Sequence, residues 1–300
     1  MVKKVEVRVP ASIGNVGSGF DCFGVSIKLY NKYTIERYKK LEILSSIKGI
    51  PTGKNNLVYR SFKEALKYFG EKEFPVRIRI EGHIPQKKGL GSSGTAILAG
   101  LISSFCFLSL PVKKKEILKI ALKLEGHLDN LASSLFGGFV LSGVIKNTIH
   151  IVKLPIPKKL RILLFIPEME CATNMARKVI PERIPLEDAV FNLFTFGCLC
   201  SGLFLKNENL LKIGTSDRVH QKYRSSLFKY LPVLIKKVVE KGAEGGFLSG
   251  AGPSVGFFVR KENAERLKKV IQRQVEKLKV EGKTEIFVPG GKTVWKIWDR

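Results

Sequence analysis

The chain has 300 residues, with 52 lysines and arginines against 26 aspartates and glutamates, so its formal net charge at pH 7 is +26. A hydrophobic fraction of 44% excludes a disordered polycation, because a chain this apolar can form a core. The charge alone is compatible with nucleic acid, an anionic membrane surface or a polyanionic small molecule as a partner, and it does not distinguish among them.

The N-terminal half is predicted to mix strands and helices. Strands are indicated by alternation of apolar and polar residues, and helices by apolar residues at helical spacing. The predicted strands lie at 5–9, at 25–38 (VSIKLYNKYTIERY) and at 76–82. The predicted helices lie at 55–69, from the loop HIPQKKGLGSSG (83–94) to about 108, at 112–123 and within HLDNLASSLFGG (127–138).

The C-terminal half repeats the mixture. Its predicted elements are the strands FVLSGVI, IHIVKL and RILLFIP, a helix at 186–206, a helix at 231–240, the glycine-rich turn GGFLSGAGPS, the strand SVGFFV, a helix at 263–279 and the strand TEIFV. Strands often follow one another directly, which favours an α+β fold over a parallel doubly wound sheet. Proline and charge concentrate at 153–161, so we predict two domains, 1–155 and 156–300.

Two uncharged stretches, 89–112 and 189–205, are long enough to raise the question of membrane spans. We predict buried core helices instead, because helices that are apolar all round also occur in the cores of large proteins. The five cysteines are odd in number and contain no C-x-x-C pair, and no signal peptide precedes them, which together predict a reduced, cytoplasmic protein.

The strongest local motif is PQKKGLGSSGT at 85–95, between a predicted strand and an uncharged helix. Gly89 and Gly91 allow close backbone approach to a ligand, and free N–H groups at a helix start attract anions. The preceding lysines and the following serines suit phosphate and Mg²⁺. The motif lacks the G-K-[ST] ending of a Walker A loop. The alternative is a glycine- and serine-rich helix start with an ordinary N-cap.

This motif resembles the phosphate loop of the GHMP kinases, the superfamily of galactokinase, homoserine kinase and mevalonate kinase. Two further segments occur in the order typical of that superfamily, GNVGSGFDCFG at 14–24 and LSGAGPSVGFF at 248–258. Within the superfamily, GNVGSGFDCFG, EGHLDN at 125–130 and the following FGG resemble the homoserine kinase subgroup.

The resemblance implies a two-lobed α+β fold, with an N-terminal ribosomal-protein-S5-like lobe and a C-terminal ferredoxin-like lobe. It implies ATP and Mg²⁺ as cofactors, a small-molecule substrate similar to homoserine, no specific nucleic acid and no membrane partner, and it leaves a homodimer open. ATP-binding positions are then Asn56, Pro85, Lys87, Lys88, Gly89, Leu90, Gly91, Ser92, Ser93, Gly94 and Thr95, with Ser93 and Glu125 as metal ligands. The substrate positions are Asn15, Asp21, His127, Asn130, Thr173, Arg177, Arg224 and Gly250, and the catalytic candidates are Asp129, Asn130 and His127.

Two roles remain open for Asp129, a base for the substrate hydroxyl or an orienting carboxylate, since homoserine kinases are argued to work without a dedicated base. The chain departs from the subgroup pattern in three places, at Gly14, at the pair 94–95 and at Leu128. Leu128, beside the predicted substrate histidine, could reshape the substrate pocket.

The expected reaction is ATP-dependent phosphorylation of L-homoserine, on the route to threonine. The alternatives are another GHMP-type kinase acting on a mevalonate-like, sugar or amino-alcohol acceptor, or a basic nucleic-acid-binding protein. Against the last, the lysines are scattered along the chain and no basic stripe is evident.

Overall fold

The structure is a computed structural model that describes residues 2–299. Its first half contains the elements β1 (Lys4–Gly14), β2 (Phe23–Arg37), β3 (Glu42–Ser45), α1 (Leu57–Tyr68), β4 (Val76–Gly82), α2 (Ser92–Phe107), α3 (Lys114–Glu125), α4 (Asp129–Phe136), β5 (Phe139–Ile145) and β6 (Thr148–Leu154).

The second half contains β7 (Leu160–Pro167), α5 (Thr173–Lys178), α6 (Leu186–Leu205), α7 (Glu208–Gly214), α8 (Gln221–Arg224), α9 (Tyr230–Glu240), β8 (Gly245–Leu248), β9 (Val255–Arg260), a 3₁₀ turn (Lys261–Asn263), α10 (Ala264–Lys277), β10 (Gly282–Phe287) and β11 (Val294–Trp298).

Two sheets form the framework, and the α+β prediction is confirmed. The first has the order β11-β1-β2-β4-β3, with β5 paired to β2 and β6 to β5. Its strands are antiparallel except for the parallel pair of β3 and β4. The second sheet is antiparallel, in the order β10-β7-β9-β8. Helices α2, α3 and α4 pack on the first sheet, α1 packs against α2 and α3, and α9 and α10 pack on the second sheet.

Strand β7 shows how the two lobes share a core. Ile162, Leu164 and Ile166 belong to a hydrophobic cluster that also contains residues of β1, β2 and β5 from the first sheet. The alternate residues Leu163 and Phe165 belong to the cluster beneath α9 and α10. Because side chains alternate between the faces of a strand, a strand covered on both faces becomes a continuous apolar run, as RILLFIP is.

The predicted long elements are present, and the differences concern short ones. The sequence patterns did not predict β3, α5, α7, α8 or β11, and β8 lies within the segment predicted as a glycine-rich turn. Strand β11 pairs with β1, so residues 294–298 belong to the first sheet although they lie in the predicted second domain, 156–300. Short strands depend on a distant ladder partner, which local periodicity does not reveal.

The two uncharged stretches fold differently from each other. Helix α2 is buried along almost its whole length, as predicted. Helix α6 is long and apolar enough to cross a membrane by length and composition alone, which is weak evidence for a span. It is also not the fully buried helix that we predicted, because six of its large apolar side chains are exposed. The polar residues Asp188, Asn192 and Thr195 face inward, together with the apolar Leu199 and Leu203.

Candidate active site

Three loops that are far apart in sequence meet at one place. The backbone N–H of Gly250 donates to the carbonyl of Gly14 at 2.9 Å. The hydroxyl of Ser249 donates to the carbonyl of Gly89 at 2.7 Å. A Cβ at Gly89 would lie 2.0 Å from the Ser249 carbonyl oxygen, so only glycine permits this approach. The N-terminal loop, the phosphate loop and the late glycine-rich loop therefore form one structure.

A cavity of about 310 Å³ lies at this junction. The predicted site residues that line it are Asn15, Asp21, Asn56, Lys87, Gly89, Leu90, Gly91, Ser92, Ser93, Glu125, His127, Asn130, Thr173, Arg177, Arg224 and Gly250. The predicted site residues that do not line it are Pro85, Lys88, Gly94, Thr95 and Asp129.

The N-terminus of α2 opens onto the cavity. The residue before the helix, Gly91, has φ of 68° and supplies no side-chain cap, so the alternative of an ordinary N-cap is not what the structure has. The first backbone N–H groups of a helix have no intrahelical partner and carry partial positive charge. Ser92 and Ser93 occupy these positions and line the cavity. This end of the cavity is therefore built to bind an anion such as phosphate.

Two oxygen donors lie beside this helix start. The Ser93 hydroxyl donates to Oε2 of Glu125 at 2.7 Å, which joins α2 to the end of α3. Burial raises the pKa of the Glu125 carboxyl, and the hydrogen bond from Ser93 acts against that rise. Among residues 2–299, no group of three or more His, Cys, Asp or Glu side chains is arranged to hold a metal. A hydroxyl and a carboxylate suit Mg²⁺, which usually keeps several waters and takes its other ligands from phosphates.

The two lysines of the phosphate loop differ in where their side chains lie. Lys87 lines the cavity, and its ammonium pairs with Glu170 at 3.0 Å. Lys88 does not line it, and its Nζ donates to the carbonyls of Glu168 and, at 2.7 Å, Met169. Lys88 therefore lies outside the cavity, where its donors hold the loop against the segment after β7, and its ATP contact stays a prediction.

Other predicted ATP positions are used to build the loop. Thr95 is buried, with its hydroxyl 2.6 Å from that of Tyr33. The side chain of Asn56 caps α1 by accepting from the N–H of Val58 at 2.9 Å and donates to the carbonyl of Pro51 at 2.7 Å. Asn56 still lines the cavity, but its amide is committed to these contacts.

At another part of the cavity, the N-terminal loop presents Asp21. The Asn15 side chain accepts from the N–H of Asp21 at 2.8 Å, and both residues have φ of 55°. Arg177 makes a two-pronged ion pair with the Asp21 carboxylate, with an Nη1–Oδ1 distance of 3.1 Å. The charge of Arg177 is therefore already paired.

Arg224 is different, because it is a buried cation without such a partner. Its guanidinium donates to the carbonyls of Ala176 at 3.1 Å and Gly250 at 3.0 Å and to Nδ1 of His220 at 3.2 Å. Within the part of the chain that the structure describes, no carboxylate lies within ion-pairing distance of it. Burial lowers the pKa of Arg224 to about 10. A buried charge that lacks a counter-ion and lines a cavity favours an anionic ligand.

Our sequence reasoning assigned no role to His220, which the structure shows holding Arg224. Its Nε2 bonds to the carbonyl of Gly17 at 2.9 Å, so the proton lies on Nε2 and the unprotonated Nδ1 accepts from Arg224. The ring also stacks on Phe20, at 5.3 Å between centroids. Arg224 is only four residues from His220, but the Gly17 carbonyl and the Phe20 ring, which fix the orientation of the imidazole, are distant along the chain.

A pH-dependent stability is expected from His220. Burial lowers its pKa from the ordinary 6.5, with Arg224 acting in the same direction and Asp217 and Asp21 opposing it. The unfolded chain then binds the proton first, so stability present above pH 6.5 is lost as the pH falls below it. We expect the free energy of unfolding of the wild type to fall more steeply below pH 6.5 than that of His220→Gln, in urea titrations across this range. Equal slopes would contradict the neutral, buried state of His220.

Asp129 lies behind the cavity wall rather than in it. Its Oδ1 is 2.6 Å from Nδ1 of His127, and its Oδ2 accepts from the N–H of Asn15 at 3.0 Å. Burial opposes protonation of His127, but the hydrogen bond and charge of Asp129, with Glu125 and Asp21, raise its pKa to about 9. His127 is thus an imidazolium near neutral pH, and Asp129 already accepts two hydrogen bonds.

The departures from the subgroup pattern do not disturb the cavity. Leu128 is buried in the core of the first lobe and does not line the cavity, so the expected reshaping by this residue is not seen. A Cβ at Gly94 would lie at ordinary contact distance, 3.4 Å, from Leu131. A Cβ at Gly14 would lie 2.0 Å from Oδ2 of Asp129, so the position of that carboxylate depends on Gly14.

Comparison with known proteins identifies the family of this chain. The family model for the N-terminal domain of GHMP kinases matches residues 56–138, and that for the C-terminal domain matches residues 197–277. The chain belongs to the GHMP kinase family. Membership of this family implies that ATP is the phosphoryl donor.

Individual relatives are more specific. The chain is 38% identical over 276 residues to a homoserine kinase of Caldanaerobacter subterraneus subsp. tengcongensis, covering 91% of this chain and 88% of the relative. It is 34% identical over 300 residues to a homoserine kinase of Caldicellulosiruptor saccharolyticus, covering 98% and 97%. The crystal structure of a homoserine kinase from Cytophaga hutchinsonii superposes with a TM-score of 0.86 at 25% identity, covering 99% of this chain and 98% of that one.

Proposed function

We propose that this GHMP kinase transfers the γ-phosphoryl group of ATP to the side-chain hydroxyl of L-homoserine, which yields O-phospho-L-homoserine and ADP. Relatives called homoserine kinase align with nearly the whole chain, at 34–38% identity for the two described above. All five cysteines are free thiols, which suits the reducing cytoplasm in which we propose that the enzyme acts.

The observation that carries this proposal is the unpaired guanidinium of Arg224 in the same cavity as the start of α2. One end of the cavity suits phosphate, and Arg224 suits the carboxylate of an amino-acid acceptor. Asp21 is the nearby acidic group for the acceptor's ammonium, and its charge is shared with Arg177. A neutral sugar or a simple amino alcohol would leave Arg224 without a counter-ion.

The proposed reaction needs positioning and charge neutralisation more than covalent help from the protein. The acceptor's hydroxyl oxygen forms a bond to the γ-phosphorus, the bond from that phosphorus to the β,γ-bridging oxygen breaks, and ADP leaves. The N–H groups at the start of α2 stabilise negative charge on the phosphates. His127, an imidazolium at the cavity wall, adds a positive hydrogen-bond donor beside the acceptor.

Mg²⁺ fits the pair formed by Ser93 and Glu125, because both supply hard oxygen ligands beside the phosphate-binding helix start. We propose that these two residues hold the ion. Bound there, it would neutralise charge on the β- and γ-phosphates.

For Asp129 we favour the orienting role. Both of its oxygens already accept hydrogen bonds, from His127 and from the Asn15 backbone, and it does not line the cavity. The hydroxyl proton then passes to the transferred phosphate rather than to a protein base. Asn130, whose side-chain oxygen accepts from Ser12 at 3.0 Å, lines the cavity and completes the acceptor's surroundings.

A substrate screen tests the proposal. A coupled assay with ATP and Mg²⁺ measures ADP release. We expect this release to require L-homoserine and to be far slower with threonine, mevalonate or galactose. Two analogues separate the recognition groups. 3-Amino-1-propanol lacks the carboxylate that Arg224 would bind, and 4-hydroxybutyrate lacks the ammonium, so both should show strongly raised KM values.

One outcome would decide for another member of the family. If homoserine were inactive while mevalonate, a sugar or an amino alcohol turned over, the kinase assignment would stand and the substrate would be different. Salt-sensitive binding of nucleic acid without any turnover would instead favour the alternative of a basic nucleic-acid-binding protein.

A further inference from the structure

Phe20 lies in the N-terminal loop, directly before Asp21, and its ring is half-buried outside the cavity. Two cations lie over this ring, because Cζ of Arg177 is 5.4 Å from its centroid and Cζ of Arg224 is 5.5 Å from it. The imidazole of His220 is stacked against the same ring, with 20° between the two planes. One aromatic ring therefore contacts both predicted substrate arginines and the histidine that holds one of them.

The Phe20 ring does not serve as an ordinary core side chain. Among residues 2–299, it belongs to none of the three hydrophobic clusters that form the core. Phe23, three positions later, is fully buried in one of those clusters and packs on the rings of Phe139 and Phe196. The ring of Phe20 instead meets an imidazole and two guanidinium groups. Its contribution is therefore to the site rather than to the core.

Arg224 needs an attraction that its hydrogen-bond partners do not supply. Those partners are two backbone carbonyls and a neutral imidazole, and no carboxylate of the described residues is within ion-pairing distance of it. Burial lowers its pKa, and the charge of Arg177 acts in the same direction, with Asp21 opposing both. The face of an aromatic ring is electronegative, and it attracts a guanidinium more strongly where water is excluded. The Phe20 ring therefore stabilises the charged form of Arg224 beside a second cation.

We propose that Phe20 is a positioning residue, which fixes Arg224 in the orientation that binds the carboxylate of an amino-acid acceptor. This role rests on the proposed function, in which Arg224 binds that carboxylate. A guanidinium binds a carboxylate through two hydrogen bonds only when its plane is correctly oriented. The ring is well placed to set that plane, because the N–H of the next residue, Asp21, is held by the side chain of Asn15 at 2.8 Å. One fixed loop thus carries both the ring and the acidic group for the acceptor's ammonium.

The competing role for Phe20 is to fill space beneath the arginines. Leucine fills much of the same space but has no aromatic face, whereas tyrosine keeps the face. Phe20→Leu and Phe20→Tyr therefore separate the two roles.

Initial-rate kinetics of the full chain test the positioning role. The attraction between a desolvated cation and an aromatic face is strong enough to change a binding constant roughly tenfold. We expect Phe20→Leu to raise the KM for L-homoserine about tenfold and to leave kcat and the KM for ATP close to the wild-type values. Loss of recognition that is equal in the ground state and the transition state raises KM alone. Phe20→Tyr should restore a KM near that of the wild type.

Two acceptor analogues show whether the loss acts through the carboxylate. 4-Hydroxybutyrate has the carboxylate but no ammonium, so Phe20→Leu should lower its kcat/KM about as much as that of L-homoserine. 3-Amino-1-propanol has no carboxylate, so its kcat/KM should stay unchanged. A double variant gives the same information from the protein. Phe20→Leu should add little to the defect of Arg224→Met, because residues that act through one another are not additive.

Phe74→Leu is the matched control. Phe74 is another half-buried ring beneath a guanidinium, with Cζ of Arg37 at 3.9 Å from its centroid, and it packs on the core of the first lobe outside the cavity. This variant should keep the wild-type KM for L-homoserine. Thermal unfolding followed by circular dichroism checks that each variant is folded.

The outcomes separate this role from the proposed function. An unchanged KM for L-homoserine in Phe20→Leu, or a rise that Phe20→Tyr does not reverse, would overturn the positioning role and leave the proposed function intact. Equal losses with all three acceptors would also overturn it, because they would show a general packing defect. A wild type that does not phosphorylate L-homoserine would overturn the proposed function and this role with it.

Discussion

We expect Glu125→Gln to lower kcat by about 10²–10³-fold, the loss typical of removing one preorganised electrostatic group. Glutamine keeps the size of the side chain and can still bond to Ser93, so the contact between α2 and α3 should survive. It removes the negative charge that would hold Mg²⁺, so half-maximal velocity should also require more Mg²⁺. Steady-state ADP release over a range of Mg²⁺ concentrations measures both effects.

The matched control for this variant is Glu116→Gln, on the same helix but outside the cavity. It should keep wild-type kcat and Mg²⁺ dependence. Ser93→Ala tests the other member of the pair and should shift the Mg²⁺ dependence in the same direction. Unchanged turnover in both Ser93→Ala and Glu125→Gln would show that the metal is held elsewhere.

The second large effect is expected at Arg224. Losing one partner of a buried, hydrogen-bonded charge pair costs about 2–5 kcal/mol, so Arg224→Met should raise the KM for homoserine at least ~30-fold. The KM for ATP should change little, because the guanidinium of Arg224 contacts Ala176, His220 and Gly250, which lie outside the phosphate loop and α2. Initial rates with each substrate varied in turn separate the two constants.

Arg224→Lys refines this test, since it keeps a positive charge but loses the planar fork that binds a carboxylate through two hydrogen bonds. Its KM for homoserine should lie between those of the wild type and Arg224→Met. Arg218→Lys serves as the control, because Arg218 pairs with Asp188 away from the cavity. If Arg224→Met raised the KM for ATP and left that for homoserine unchanged, Arg224 would belong to the nucleotide site.

Much of the site was predictable because its parts are short motifs with local causes. Gly89 and Gly91 predict a loop whose backbone packs closely against other residues. In the structure Gly89 lies against Ser249, and Gly91 lies against Ser12. Every one of the predicted substrate positions lines one cavity. The residues of the three motifs, and the order of those motifs along the chain, were enough to predict this site without any knowledge of tertiary contacts.

The individual roles were less predictable, because each depends on what a side chain meets. Lys88 follows Lys87 directly, yet its donors are taken by carbonyls of another lobe. Asp129 lies in the motif EGHLDN, from which a catalytic role was predicted, yet its carboxylate oxygens already form hydrogen bonds with His127 and with the Asn15 backbone. His220 had no cluster around it in sequence, and it holds the guanidinium of Arg224 in the fold.

By itself, the sequence determined the α+β class, the long helices and strands, and the phosphate loop, since alternation, helical spacing and glycine placement are local properties of the backbone. Only the tertiary structure decided that β11 joins the first sheet, that Arg224 is a buried cation without a counter-ion, and that α6 leaves six large apolar side chains exposed. These features arise from partners far apart in the chain. Hydrogen bonding and burial depend on which groups are close in space, and the spacing of residues in the sequence does not show this.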